Sequence, residues 1–158
     1  MRKDKNQAFA TRVAQANRSE LVVILFEIIQ ECLAEAGEAF ATGNQDTFCN
    51  ELKNARAFLN ELMGSLNYEY KISFQLMSLY VYCDRQLAQA MAARSVEPLE
   101  NIDFILDKLT EAFKGVAKED YSKPIMMNTE TIYAGLTYRP GSLNESVKND
   151  GSHRGFQA

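Results

Sequence analysis

The sequence has no tryptophan and one histidine, His153. A catalytic histidine needs a partner and a defined pocket; His153 lies in a glycine-containing stretch and reads as a solvated surface residue. Di-iron sites in helical bundles use Glu-x-x-His pairs on two helices, which one histidine cannot supply. Cys32, Cys49 and Cys83 are odd in number, widely spaced and without a Cys-x-x-Cys pair. They read as reduced thiols of a cytoplasmic protein. Neither GxxxxGK[ST] nor GxGxxG occurs, so no phosphate cradle is expected. The longest apolar run, Leu21–Phe26, falls far short of the roughly 18 residues that span a bilayer. The charged start MRKDKNQAFA leads into no apolar core, so no secretory signal is expected. Basic residues are not in excess: 17 Lys and Arg stand against 21 Asp and Glu, giving a net charge of −4. The two signs are interspersed, which argues against a nucleic-acid-binding face. Scattered acids such as Glu51 and Glu61 form no catalytic constellation. The expectation is a protein with no enzymatic activity, no cofactor and no metal.

What is present is helical periodicity. A chain of 158 residues favours one domain. The stretch Ile72–Met91 holds Ile72, Leu76, Leu79, Tyr80, Cys83, Leu87 and Ala90 at spacings of one to four residues. At about 100° per residue they form one apolar stripe. Tyr70, Phe74, Met77, Val81 and Ala88 form a second stripe on roughly the opposite side. A helix with two apolar faces is either sandwiched within the protein or offers a surface to another chain.

Residues 1–16 are polar apart from isolated points at Phe9 and Val13, and read as a mobile arm or a short docking segment. Asn17 followed by Glu20 is a variant capping box. It starts a helix over about 18–41, with Leu21, Leu25, Ile28, Ile29, Cys32, Ala36 and Phe40 buried. Thr42-Gly43-Asn44 supplies the turn. A second helix follows over about 45–66, with Phe48, Leu52, Ala55, Leu59, Leu62, Met63 and Leu66 at near-heptad spacing. The third spans about 70–94. Ser95 is the candidate N-cap of the fourth, over about 97–117, with Pro98 in its first turn. Its stripe is Ile102, Ile105, Leu106, Leu109, Ala112, Phe113 and Val116. The fold class is therefore all-α: an antiparallel up-down-up-down four-helix bundle over 17–119, after an N-terminal arm. Residues 120–158 hold two of the three prolines and four of the eight glycines. They read as a largely irregular tail, with Ile132–Tyr138 the one candidate strand.

Several large apolar residues fall off the main stripes: Val23 and Phe26 on the first helix, Phe58 on the second, Phe104 on the fourth. With Phe74, Met77 and Val81 they exceed what one bundle core requires. Wide core stripes could absorb them, or they form a surface for an amphipathic partner. Phe58, Leu62, Phe74, Met77, Val81 and Phe104 are the candidate binding residues. The tail residues Tyr133, Leu136, Tyr138 and Phe156 are candidates to dock on the second stripe.

Three segments carry a family resemblance over about 9–118: Val13-Ala14-Gln15-Ala16-Asn17-Arg18-Ser19-Glu20-Leu21 with Leu25-Phe26; Asn54-Ala55 through Leu59-Asn60-Glu61-Leu62; and Leu79-Tyr80-Val81-Tyr82 with Leu87 and Ala90-Met91. The chain resembles the flagellar export chaperone family FliS. It departs from the family pattern where Arg18 or Ser19 replaces a helix-start proline, Phe26 a tyrosine, Met91 an asparagine and Phe113 a tryptophan. Its tail beyond about Asp120 is longer than the usual family ending. The resemblance implies a cytoplasmic chaperone for the C-terminal helical region of flagellin. Such a protein prevents premature polymerisation and escorts its client to the flagellar type III export gate. It implies no cofactor, nucleic acid or membrane insertion, and a monomer or weak homodimer. It also implies an N-terminal segment lying over the client groove, which Phe9 and Val13 could provide. The alternative is a self-associating or regulatory helical-bundle adaptor.

Overall fold

The computed structural model describes residues 3–126, and within them five helices: α1 Lys3–Gln15, α2 Arg18–Ala41, α3 Gln45–Gly64, α4 Lys71–Ala93 and α5 Glu97–Glu119. The described residues contain no strand. Ile132–Tyr138, Leu136, Phe156 and His153 lie outside the described residues.

Each boundary has a local cause. Asn17 Oδ1 accepts the Glu20 N–H at 2.8 Å, and Glu20 Oε2 accepts the Asn17 N–H at 3.0 Å. Two orphan donors of the first turn of α2 are thus satisfied reciprocally. At the far end Gly43 takes a φ of 75°, a left-handed conformation that costs glycine little. Asn44 Oδ1 then accepts the Thr47 N–H to open α3. Arg94 ends α4 at a φ of 49°. The cap of α5 falls one residue later than predicted, on Val96, while the Ser95 hydroxyl accepts the Glu97 N–H from just outside.

The N-terminal segment, expected as a mobile arm or a short docking segment, docks as a helix. Residues Lys3–Gln15 are a helix that packs on α2. Its few apolar residues suffice because Phe9 and Val13 both pack against the core. Arg12 pairs with Glu27 of α2 at 2.7 Å, and Lys114 of α5 pairs with the other oxygen of Glu27 at 3.0 Å.

Helix α2 packs on α3 and on α5, and α4 packs on both of those. The core runs between them, with Phe26, Ile29, Phe48, Leu52, Leu59, Tyr80, Leu87, Ile102 and Leu106 fully buried. Several expectations change here: Val116, predicted in the buried stripe of α5, is exposed. Val23 and Phe26, predicted to stand off the core face of α2, are both buried. Phe26 meets the ring of Phe113 edge-on at 5.5 Å and that of Tyr80 at 6.2 Å. Conversely Ile72 and Leu79, predicted in the core of α4, are exposed. The stripe that α4 buries is Ser73, Leu76, Tyr80, Cys83, Leu87 and Ala90. Ser73 can lie in it because its hydroxyl donates to the Asn67 carbonyl in the α3–α4 link.

Candidate binding surface

Arg56 of α3 grips Asp84 of α4 through two hydrogen bonds, at 2.7 and 3.0 Å. This ion pair marks the flank of α4 that faces α3. Val81 and Met77 stand three and seven residues before Asp84, and Phe74 three before Met77, so all share that flank. Phe74 is 59 % exposed and Val81 40 %, with Met77 half-buried between them. The Tyr68 ring lies 5.4 Å from that of Phe74 and extends the patch into the α3–α4 link. Tyr70 just before α4 and Ile72, Leu79 and Tyr82 on it are also exposed, so open apolar residues occur on more than one side of the helix, among exposed polar ones such as Gln75 and Ser78.

The remaining predicted site residues are not brought to this flank. Leu62 is 1 % exposed and belongs to the core beneath α3, because it continues the buried stripe of Leu52, Ala55 and Leu59. It is therefore no surface residue. Phe58 is half-buried against the core. It sits two residues, about 200°, from Arg56, and so points away from α4. Phe104 is 64 % exposed on α5. The buried Ile102 and Leu106 each lie two residues from it, so Phe104 faces directly outward. Lys108 Nζ lies 5.9 Å from its ring centroid.

Phe9 and Val13 do not lie over Phe74, Met77 and Val81 either. They sit with α1 on the outer face of α2. A cleft of about 550 Å³ runs beside them, lined by Arg12, Ala16, Val23, Ile24, Lys114 and Ala117 among others. Val23 is thus buried where α1 and α5 flank α2. Glu27 stands at this junction. Burial pushes its carboxyl up, but hydrogen bonds from Lys114 and Arg12 outweigh that and hold it below its ordinary value.

Nucleophile and metal chemistry find little support among these residues. Burial pushes the Cys32 thiol up to about 12, with the Glu51 carboxylate adding to the shift, and burial pushes Cys83 up to about 11. Neither is a reactive thiolate at neutral pH. Among the described residues no group of three or more His, Cys, Asp or Glu could hold a metal ion. No described helix is long and apolar enough to cross a membrane.

The described residues are helical, with a packed core and an exposed apolar row on one helix, the kind of surface that helical binding proteins offer to another chain. A family model described as the flagellar protein FliS matches residues 1–120, from the start of the chain through the end of α5. The chain belongs to the FliS family of flagellar export chaperones. No curated protein matches the chain.

Proposed function

We propose that this protein is a cytoplasmic chaperone that binds the C-terminal helical region of flagellin on the bare flank of α4. In this reading it keeps flagellin from polymerising early and delivers it to the flagellar type III export gate. The observation that supports it most is the row beside the Arg56–Asp84 pair, with Phe74 and Val81 exposed and Met77 half-buried between them, in a member of an export-chaperone family. Burying one such side chain is worth about 1.5–3 kcal/mol, so a few left open are a liability without a client. Helices α2–α5 act as an up-down-up-down four-helix bundle, a rigid platform for a segment that orders on binding. That ordering costs about 2–5 kcal/mol and calls for a broad apolar footprint.

Helix α1 serves as a separate cover. Through Phe9 and Val13 it packs against the core, and its displacement would open a second strip for client on α2. Phe58 and Phe104 lie on other faces and serve a client only if it wraps around the bundle.

Calorimetric titration of the full-length protein with a peptide from the C-terminal region of flagellin tests the reading. Saturable one-to-one binding with a large negative heat-capacity change is expected. Unchanged affinity when Phe74, Met77 and Val81 are replaced by serine in a protein that still folds overturns the assigned surface. Concentration-dependent dimerisation without peptide binding would instead identify a self-associating adaptor.

A further inference from the structure

The apolar flank of α4 is widest at its start, where Tyr70 is 63 % exposed beside the Tyr68–Phe74 ring pair. No described element covers it. The place where the chain leaves the described structure bears on what does. The Ile125 N–H donates to the Ala16 carbonyl at 3.2 Å. The Asn17 side-chain amide donates to the Asp120 carbonyl at 2.9 Å, and the Ser19 hydroxyl donates to the Asp120 carboxylate. The segment after α5 is thereby pinned at the end of the molecule where α2 begins and α5 ends. Helix α4 is joined to the far end of α5 by the short link Arg94–Val96, so the two run antiparallel. The start of α4 therefore lies at the same end as the exit of the chain.

Residues 127–158 follow this exit. A coil of that length spans about 30 Å on average and about 100 Å when stretched. Helix α4, with 23 residues, is only about 35 Å long. The segment carries Ile132, Tyr133, Leu136, Tyr138 and Phe156, and its acidic residues Glu130, Glu145 and Asp150 are balanced by Arg139, Lys148 and Arg154. No net charge opposes its approach. Tethering holds it near the flank at an effective concentration in the millimolar range, an advantage that no second copy of the chain has at ordinary concentrations. The family match ends at residue 120, so this segment is an addition to the part that the family shares.

We propose that residues 127–158 dock on the α4 flank through these aromatic and aliphatic residues and hold it against non-client contacts. That a client must displace them rests on the proposed chaperone reading; the docking itself does not. The absence of tryptophan provides the test. Phe74→Trp in the full-length chain places a sole tryptophan on the flank. Acrylamide quenching is then compared with and without serine at Tyr133, Tyr138 and Phe156. Docking predicts at least twofold faster quenching, and a red-shifted emission, once the tail aromatics are removed. Equal quenching in the two proteins overturns the proposal. Protection that grows with protein concentration also overturns it, by assigning the flank to a second copy. The same pair is titrated with the flagellin peptide, and the tail variant should bind several-fold tighter. Different quenching with no peptide binding by either form leaves the docking standing and removes the client reading. Peptide binding with equal quenching does the reverse.

Discussion

Helices α2 and α4 have apolar residues on more than one side, and the protein treats them in opposite ways. Helix α2 is packed on three sides, by α1, α3 and α5, and its off-stripe residues Val23 and Phe26 are buried. Among the described helices α4 packs mainly on α3 and α5 and meets α2 where Tyr80 faces Phe26, while Phe74 and Val81 on one side and Ile72 and Leu79 on another remain open. A second apolar stripe thus signals that cover is needed, without saying what provides it. For α2 the cover is a helix of the same chain. For α4 none of the described helices provides it, which is what makes that flank the candidate for a partner or for the tail.

The sharpest way to break this contrast is to truncate one aromatic on each helix. Phe26→Ala should cost about 3–5 kcal/mol in urea unfolding, since it removes a ring packed between Tyr80 and Phe113. Phe74→Ser should stay within about 0.5 kcal/mol of the parent, as an exposed substitution does. Comparable losses at the two sites would erase the distinction.

Affinity should show the reverse order of importance. Phe74→Ser combined with Val81→Ser should weaken flagellin-peptide binding at least tenfold, about 1.4 kcal/mol or more. Adding Phe104→Ser, on its separate face, asks whether the client reaches further: an additional loss would mean a wrapped client, no change a single footprint.

The cover over α2 can be loosened without touching the core. Glu27→Gln breaks the pairs to Arg12 and Lys114, which are partly solvent-screened and worth about 0.5–1 kcal/mol. Amide exchange should quicken in α1, with α3 and α4 unchanged; quickening everywhere would mean that α1 is integral to the core. Acid should produce a weaker version of the same effect. Glu27 is held below its ordinary value of 4.5, so its contribution is complete above that pH and fades as pH falls through the lowered value. Asp120 is lowered from 3.8 to about 2, chiefly by hydrogen bonds from Ser122 and Ser19. The clasp it makes with α2 should therefore hold until pH drops from about 4 toward 2. Exchange in α1 and in the first turn of α2 should follow that window.

Much of this was legible in the residues. The Asn17–Glu20 capping box, the Gly43 turn and the long periodic segments marked where helices start and stop. Helix α1 was not, because Phe9 and Val13 alone give too faint a stripe for a helix whose stability comes from docking on α2. Phe26 was misplaced because a single wheel sees one core direction, while α2 has neighbours on several sides. Ile72 and Leu79 were misplaced for the opposite reason: a small polar residue, Ser73, occupies the buried position at the start of α4, satisfied by a carbonyl that no sequence pattern reveals. Spacing alone puts Phe74, Met77 and Val81 on one stripe, and in the structure Phe74 and Val81 are exposed there. The separation of Phe58, Leu62 and Phe104 from them depends on which neighbour each helix faces, and spacing along one helix carries no such information.

The contact between Asn17 and Asp120 has a topological consequence. Because the first residue of the α2–α5 body touches the residue just after its last helix, the contour of that body closes on itself. Where the backbone is cut is then a matter of gene order. A permuted chain that begins at Asn67, runs through Asp120, joins it to Asn17 by a short linker and ends at Leu66 would omit α1 and the tail, and should build the same α2–α5 packing.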